Sequence, residues 1–182
     1  MSASALTSAS AAGCRREKSK GAVTGSSSAF ITPAPGQIVI SGSKPAVELA
    51  ASKTGDVGVK KAMMLPVSAP FHCSMMQPAA DAMMSALADI EIRSPSMPLV
   101  ANVTAAPTTD PAEIRRQLIE QVCGQVRWRE SVEYMAAQGV VLTVEAGAGK
   151  VLSVMNRRTA KEIEGLTLGT PEDIETVAER LG

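Results

Sequence analysis

Hydrophobic positions follow two different periods along the chain, and the changes between them predict strands that alternate with helices. A β-branched run at 37–41 predicts a strand, which is followed by a helix over 44–53 and an extended segment over 57–65. Together these elements make a strand–helix–strand unit of the size of one supersecondary module. The pattern therefore predicts that 21–65 is a small lobe or part of one.

Elements alternate more regularly after residue 65. Helices are expected over 74–88, 111–123, 128–138, 150–158 and 170–181, and strands over 97–103, 140–146 and 166–168. In the first of these helices, apolar side chains recur at helical spacing and form an apolar stripe: Met76, Ala80, Met83, Met84 and Leu87. Strands alternating with helices predict an α/β fold with a mainly parallel sheet.

The first 20 residues differ in composition from the rest of the chain. They are rich in serine and alanine, they are basic, and no acidic residue precedes Glu17. This composition predicts a low-complexity or disordered N-terminus over 1–20, and it also fits an organelle transit peptide. We therefore expect a cytoplasmic protein, or an organellar one if 1–20 is a targeting segment.

Composition excludes several classes of function. The chain has 18 basic and 18 acidic residues with no basic run longer than two, which argues against a nucleic-acid or anionic-membrane surface. No apolar stretch approaches the roughly 20 residues needed to cross a bilayer. Three widely spaced cysteines and one histidine cannot make an ordinary zinc site. We therefore expect no metal, no nucleic acid and no membrane.

His72 is the only histidine, so any histidine chemistry in this chain takes place there. It lies between an extended segment and a helix start, and functional groups of α/β folds cluster at the carboxyl ends of strands. Histidine exchanges protons near neutral pH, which suits a general base. The alternative is a partly exposed histidine bonded to a backbone group.

Cys73 and Gln121 are two further candidates for a chemical role. Cys73 is adjacent to His72, but neighbours on extended backbone point to opposite sides, so a small apolar filler is favoured over a Cys–His nucleophile. Gln121 falls in the apolar stripe of the helix over 111–123, and a buried amide there needs hydrogen-bond partners. The alternative for Gln121 is a side chain that reaches solvent near the helix end.

Two segments approach known catalytic or binding patterns without matching them. The segment 147–150 resembles the end of a phosphate loop but lacks the earlier glycine and the Ser or Thr after the lysine, so it predicts a tight strand-to-helix turn. The nearest approach to a Gly-x-Ser-x-Gly nucleophile elbow, at 25–29, lacks the second glycine. The chain therefore contains no elbow serine.

Several strings of the sequence together resemble the malonyl-CoA:acyl-carrier-protein transacylase family. They occur in the family's order over roughly 35–182: Pro-Gly-Gln-Ile-Val-Ile-Ser-Gly at 35–42, Leu-Pro-Val-Ser-Ala-Pro-Phe-His-Cys at 65–73 with Met-Gln-Pro-Ala-Ala at 76–80, Val-Ala-Asn-Val at 100–103, Gln-Val-Arg-Trp at 125–128 with Ser-Val at 131–132, and Glu-Ala-Gly-Ala-Gly-Lys-Val-Leu at 145–152. The string that contains His72 is the most specific.

The resemblance implies a fold and a set of site residues. The expected fold is the C-terminal part of an α/β-hydrolase-like acyltransferase core, 66–182, with part of a ferredoxin-like small subdomain over 21–65. By the resemblance, His72 is the catalytic histidine and the main chain of Gln121 orients it. Phe71 looks like the residue that favours unbranched malonyl groups.

The resemblance also implies an activity: malonyl transfer from coenzyme A to the phosphopantetheine thiol of acyl carrier protein in fatty acid biosynthesis. Malonyl-CoA would be the substrate and no cofactor is expected. The family's N-terminal half is absent, and with it the glutamine of the oxyanion loop, the elbow serine and the arginine that pairs with the malonyl carboxylate. We therefore expect the chain to be inactive alone, with a separate N-terminal half as a possible partner.

Two other interpretations stay open. In the first, the chain is a non-catalytic truncated homologue that acts as a binding or structural module. In the second, weaker one, the chain is an independent cysteine enzyme that uses Cys73 or Cys123.

Overall fold

A computed structural model describes residues 2–9, 29–34, 37–57 and 59–182. The chain divides into two compact units, Met1–Trp128 and Arg129–Gly182, and each is described by itself. Among the residues that the structure describes, no helix is long and apolar enough to cross a membrane. The predicted domain boundary between 65 and 66 lies inside the first unit.

The first unit contains a four-stranded antiparallel sheet. Its strands are β1 (Ser2–Ala9), β2 (Ala29–Ala34), β3 (Gln37–Ser43) and β4 (Val59–Leu65), in the order β2-β3-β1-β4. Because β1 and β2 both pair antiparallel with β3, they run parallel to each other with β3 between them. Likewise β3 and β4 are parallel and enclose β1. This is the split β-α-β arrangement of a ferredoxin-like sheet.

Strand β1 was missed by the sequence analysis. The prediction over 1–20 was a low-complexity or disordered terminus, whereas Ser2–Ala9 pairs with β3 on one side and β4 on the other. Serine and alanine alternate over 2–5, but alanine is depleted in strands, so the segment carries only a weak strand pattern and its main-chain pairing with two neighbours specifies it. Residues 10–20 lie outside the described part of the chain.

The predicted strand–helix–strand unit is confirmed. Strand β3 leads directly into α1 (Lys44–Ser52), which has Pro45 in its first turn, where the fixed φ of proline suits a helix start. A 3₁₀ turn over Thr54–Val57 then leads to β4. Val47 of α1 is 3% exposed and Ile40 of β3 packs against it, so the helix is held on the sheet by its apolar face.

Three short elements and two helices complete the first unit. After a 3₁₀ turn at Ser74–Met76 come α2 (Gln77–Leu87), β5 (Leu99–Val100), β6 (Pro107–Thr108) and α3 (Pro111–Cys123). The strand expected over 97–103 is only two residues long and pairs antiparallel with β6. Helix α3 begins cleanly because the Asp110 side chain accepts a hydrogen bond from the Ala112 N–H at 2.9 Å.

The apolar stripe predicted on α2 is only partly buried. Ala80 is 4% exposed and lies in the core, but Met83 and Met84 are 39% and 54% exposed. The predicted stripe is therefore present, but only part of it lies in the core. Helical spacing identifies a common face, but it does not show that a neighbouring element covers that face.

The second unit follows the predicted order closely. Helix α4 (Trp128–Ala137) leads into it, and β7 (Leu142–Ala146), α5 (Val151–Thr159), β8 (Glu164–Leu168) and α6 (Pro171–Leu181) follow. Strands β7 and β8 pair in parallel, from Leu142 opposite Glu164 to Ala146 opposite Leu168. This is a β-α-β crossover, and its parallel pairing matches the prediction.

The prediction of a mainly parallel sheet is nevertheless wrong for the described residues as a whole. The four-stranded sheet and the β5–β6 pair are antiparallel, and only β7–β8 is parallel. Alternating strands and helices produce parallel neighbours only when consecutive strands pair directly. In the first unit β1 lies between β3 and β4, so these two parallel strands do not pair directly. The other two ladders, β2–β3 and β5–β6, join consecutive strands with no helix between them, and both are antiparallel.

Candidate functional site

His72 lies in the connection between β4 and the 3₁₀ turn that precedes α2, as the sequence predicted. Its backbone φ is +59°, in the left-handed region that side chains other than glycine rarely adopt. Such a conformation costs free energy and persists only where the surroundings enforce it, which is characteristic of functional positions. The backbone geometry therefore distinguishes His72 from an ordinary surface histidine.

The His72 ring makes one long-range hydrogen bond within the first unit. Its Nδ1 lies 3.0 Å from the main-chain carbonyl oxygen of Gln121, 49 residues along the chain. A carbonyl oxygen can only accept, so this bond places the proton on Nδ1. In the neutral ring Nε2 is then the nitrogen that can accept a proton from another group.

Gln121 contributes its backbone rather than its side chain. It lies in the last turn of α3, where the Gly124 N–H bonds to the Glu120 carbonyl at 2.8 Å and the helix ends. Carbonyls of a last helical turn lack intrahelical partners, so the Gln121 oxygen can accept from His72. The residue is half-buried. The position of Gln121 in the apolar stripe pointed to its amide side chain. The group that bonds to His72 is instead its main-chain carbonyl.

The two described cysteines do not look like nucleophiles. Cys73 is 2% exposed, and its Sγ donates to the Pro70 carbonyl at 3.1 Å. Burial raises the pKa of the Cys123 thiol, and the nearby Cys73 and Asp81 raise it further. A raised pKa keeps the thiol protonated near neutral pH, and the thiolate is the reactive form. The geometry thus disfavours an independent cysteine enzyme.

A pocket of 160 Å³ lies between β5 and α3. Its lining comprises Leu99, Val100, Ala101, Asn102, Ile114, Gln117, Leu118 and Gln121. Gln117, which the sequence analysis missed, is 7% exposed; its Nε2 donates to a Glu113 carboxylate oxygen at 3.4 Å, and its buried Oε1 has no partner within the described part of the chain. Its spacing from Ile114 and Gln121 could have revealed it, since the three share one helix face.

No metal centre is found among the described residues, where no three His, Cys, Asp or Glu side chains group together.

Comparison with known proteins identifies the family, although no family model matches the chain. Over 137 residues, 75% of this chain, it is 44% identical to the malonyl CoA-acyl carrier protein transacylase of Salmonella typhimurium. Over 147 residues, 81% of this chain, it is 39% identical to the protein of that name from Bacillus subtilis. The chain belongs to the malonyl-CoA:acyl-carrier-protein transacylase family.

Solved structures confirm the fold of this transacylase-family chain. The acyl-carrier-protein-S-malonyltransferase of Bartonella henselae is 41% identical with a TM-score of 0.86, and the match covers all of this chain and 58% of that one. A malonyl-transacylase solved in complex with its type II PKS acyl-carrier protein is 31% identical with a TM-score of 0.85, covering 98% of this chain and 58% of that one. The expected acyltransferase fold is confirmed.

The chain spans about half the length of the curated transacylases that it matches, 44% of the Salmonella protein and 46% of the Bacillus protein. Its sequence holds no Gly-x-Ser-x-Gly string. Of the three site residues expected from the resemblance, the structure brings His72 and Gln121 into contact. The third, Phe71, precedes His72 in the chain and is 45% exposed.

Proposed function

We propose that this chain supplies the histidine side of malonyl transfer from coenzyme A to the phosphopantetheine thiol of acyl carrier protein. The observation that carries the proposal is the 3.0 Å hydrogen bond from His72 Nδ1 to the Gln121 carbonyl. It holds the single histidine of a transacylase-family chain in the tautomer that a general base needs. Membership of the family supports the choice of malonyl-CoA and acyl carrier protein as partners.

In the first half-reaction a serine Oγ gives its proton to His72 Nε2 and attacks the malonyl thioester carbonyl. The new C–O bond forms, the C–S bond breaks, and the coenzyme A sulfur leaves with the proton from Nε2. In the second half-reaction the carrier-protein thiol gives its proton to Nε2 and its sulfur attacks the malonyl-serine ester. The C–O bond then breaks and the serine oxygen takes back the proton.

The other site residues have supporting roles in this proposal. The Gln121 carbonyl orients the imidazole and stabilises the imidazolium that forms in each half-reaction. The exposed ring of Phe71 borders the acyl group and favours unbranched malonyl. Residues 21–65 form part of the small subdomain and 66–182 part of the acyltransferase core.

The nucleophile is assigned to polypeptide outside these 182 residues, because they contain no elbow serine. The isolated chain is therefore expected to form no malonyl ester. Removing the nucleophile from such a catalytic unit removes nearly all of its rate enhancement, even when the histidine is intact.

Intact mass after incubation with malonyl-CoA tests this proposal. Two proteins are compared: the chain alone, and a chimera in which the portion of the Bacillus subtilis transacylase that this chain does not match is joined to it in one polypeptide. We expect a malonyl adduct on the chimera and none on the isolated chain. When carrier protein is added, we expect the malonyl group to move from the chimera to the carrier protein. A malonyl adduct on the isolated chain would contradict the assignment of the nucleophile.

The chimera also separates the non-catalytic alternative from the enzyme. A folded chimera that binds carrier protein but never becomes acylated would favour a binding module. Its control is the same chimera carrying His72→Ala, which we expect to fold and to lose acylation.

A further inference from the structure

Cys73 closes the turn that carries His72. Its thiol lies on a chain reversal that begins at Pro70, and Sγ donates to the Pro70 carbonyl at 3.1 Å. His72, with φ of +59°, lies between these two residues. The side-chain bond therefore spans the one position in the segment where the backbone is strained.

Cys73 is also fixed on its other side. Its carbonyl accepts from the Met76 N–H at 2.9 Å and starts the 3₁₀ turn that leads into α2. The side chain is 2% exposed, so water cannot compete for the thiol bond. A buried bond of this kind is strengthened by the low dielectric around it. Cys73 thus links the His72 turn to the helix that follows.

A left-handed residue relaxes to a more favourable φ unless its neighbours prevent it. If the turn between 70 and 73 opened, His72 would rotate about its own φ and its ring would move relative to the Gln121 carbonyl. The Nδ1–O distance of 3.0 Å leaves little room for such movement before the hydrogen bond is lost.

We propose that Cys73 is a positioning residue for His72, acting through its thiol donor rather than through its volume. The catalytic consequence rests on the function proposed above, but the positioning itself does not. A simple filler would be replaceable by any residue of similar size. A positioning donor is replaceable only by a side chain that can still donate to Pro70.

The sole histidine makes this directly measurable. A multiple-bond ¹H–¹⁵N spectrum of the full chain shows one imidazole, so the protonation of Nδ1 and Nε2 at His72 is read without assignment of other rings. Three variants are compared with the unaltered chain. Cys73→Val keeps an apolar side chain of similar size and removes the donor, Cys73→Ser keeps a donor, and Cys123→Val makes the same exchange at the other described cysteine.

We expect Cys73→Val to lose the dominant Nδ1–H signature, while Cys73→Ser and Cys123→Val retain it. Circular dichroism confirms that each variant is folded, and Cys73→Ser keeps the test decisive if Cys73→Val does not fold. Retention of the signature in folded Cys73→Val, or its loss in folded Cys73→Ser, would overturn the proposal. In the active chimera, Cys73→Val should lower kcat by about tenfold to a hundredfold with little change in KM.

If the chimera proves inactive while the spectra behave as expected, the proposed function fails and the positioning role stands. If the chimera is active and the spectra of all three variants are identical, the function stands and the positioning role is wrong.

Discussion

Two strand-to-helix turns of this protein adopt left-handed backbone, and they do so with opposite kinds of residue. In the turn after β7, the residues with positive φ are Gly147 at +127° and Gly149 at +97°. In the turn after β4, the residue is His72 at +59°. Glycine adopts this conformation without steric cost, whereas histidine does not. Of these two turns, only the one after β4 places a side chain on left-handed backbone, and that side chain is the proposed base.

The two turns also differ in how their following helices begin. The Glu145 carboxylate accepts from the Leu152 and Ser153 N–H groups at 3.0 and 2.7 Å, so it caps the first turn of α5. After His72, a cysteine thiol bonds back to the turn instead. The β7–α5 turn is therefore organised around helix capping, and the His72 turn around the histidine.

The largest expected effect is the loss of catalysis when the His72 side chain is removed from its turn. In the active chimera, His72→Ala should lower kcat for malonyl transfer by about three orders of magnitude or more, because the serine loses its base. Stopped-flow measurement of coenzyme A release gives the rate. Retention of full activity in this variant would show that His72 is not the base.

Gly147→Ala should destabilise the second unit by about 1–3 kcal/mol, because alanine, which has a Cβ, would have to adopt the backbone φ of +127° that glycine has there. A Cβ at Gly147 would meet nothing within 4 Å, so the cost comes from backbone conformation alone. Chemical denaturation measures the change. The control is Gly55→Ala, where there is also open space and no positive φ, and which should change stability by less than about 0.5 kcal/mol.

Placing glycine at His72, in the turn after β4, measures the backbone strain at that position. Both His72→Gly and His72→Ala remove the bond to Gln121, but only glycine also relieves the left-handed strain. We expect the glycine variant to be more stable than the alanine variant by about 1 kcal/mol in denaturant unfolding. An alanine variant of equal or greater stability would show that the turn is not strained at this position.

The smallest expected effect is on the pH dependence of folding stability, through the Glu145 carboxylate. Hydrogen bonds from Ser153 and then from Leu152 lower the pKa of Glu145 below its usual 4.5. A carboxyl whose pKa is lower in the folded chain stabilises it above the unfolded pKa, and this contribution is lost as pH falls through the folded value. The stability difference between the unaltered chain and Glu145→Gln should therefore shrink as pH falls below about 4.5.

Glu179→Gln, at an exposed position on α6, is the control for the acid prediction. Thermal unfolding at several pH values makes the measurement. A difference between the unaltered chain and Glu145→Gln that grows on acidification would contradict the assigned cap.

Much of the fold was predictable because its cues are local. The start of α3 at Asp110, the proline in the first turn of α1 and the glycine turn after β7 are each set by a few neighbouring residues. Strand β1 was not predictable, since its pairing with β3 and β4 depends on residues 29 to 61 positions away, from Ser8 opposite Gln37 to Ser4 opposite Leu65. Which residues of the α2 stripe are buried was not predictable for the same reason, because burial depends on neighbouring elements that helical spacing does not reveal.

The candidate site divides in the same way. His72 could be found because it is the only histidine and lies between a strand and a helix. Its bond to the Gln121 carbonyl could not be derived from residue types, because any residue at that place in α3 would offer the same oxygen. Neither the left-handed φ of His72 nor the Cys73 thiol bond leaves a signature in composition or periodicity.

The central claim is that the Gln121 carbonyl holds His72 with its proton on Nδ1 and its Nε2 ready to act as base. A multiple-bond ¹H–¹⁵N spectrum of the unaltered chain, recorded above the pH at which the ring is protonated, tests it most directly. The account predicts a single imidazole that is protonated predominantly on Nδ1. A ring protonated predominantly on Nε2 would contradict it, because the hydrogen bond to Gln121 could not then exist.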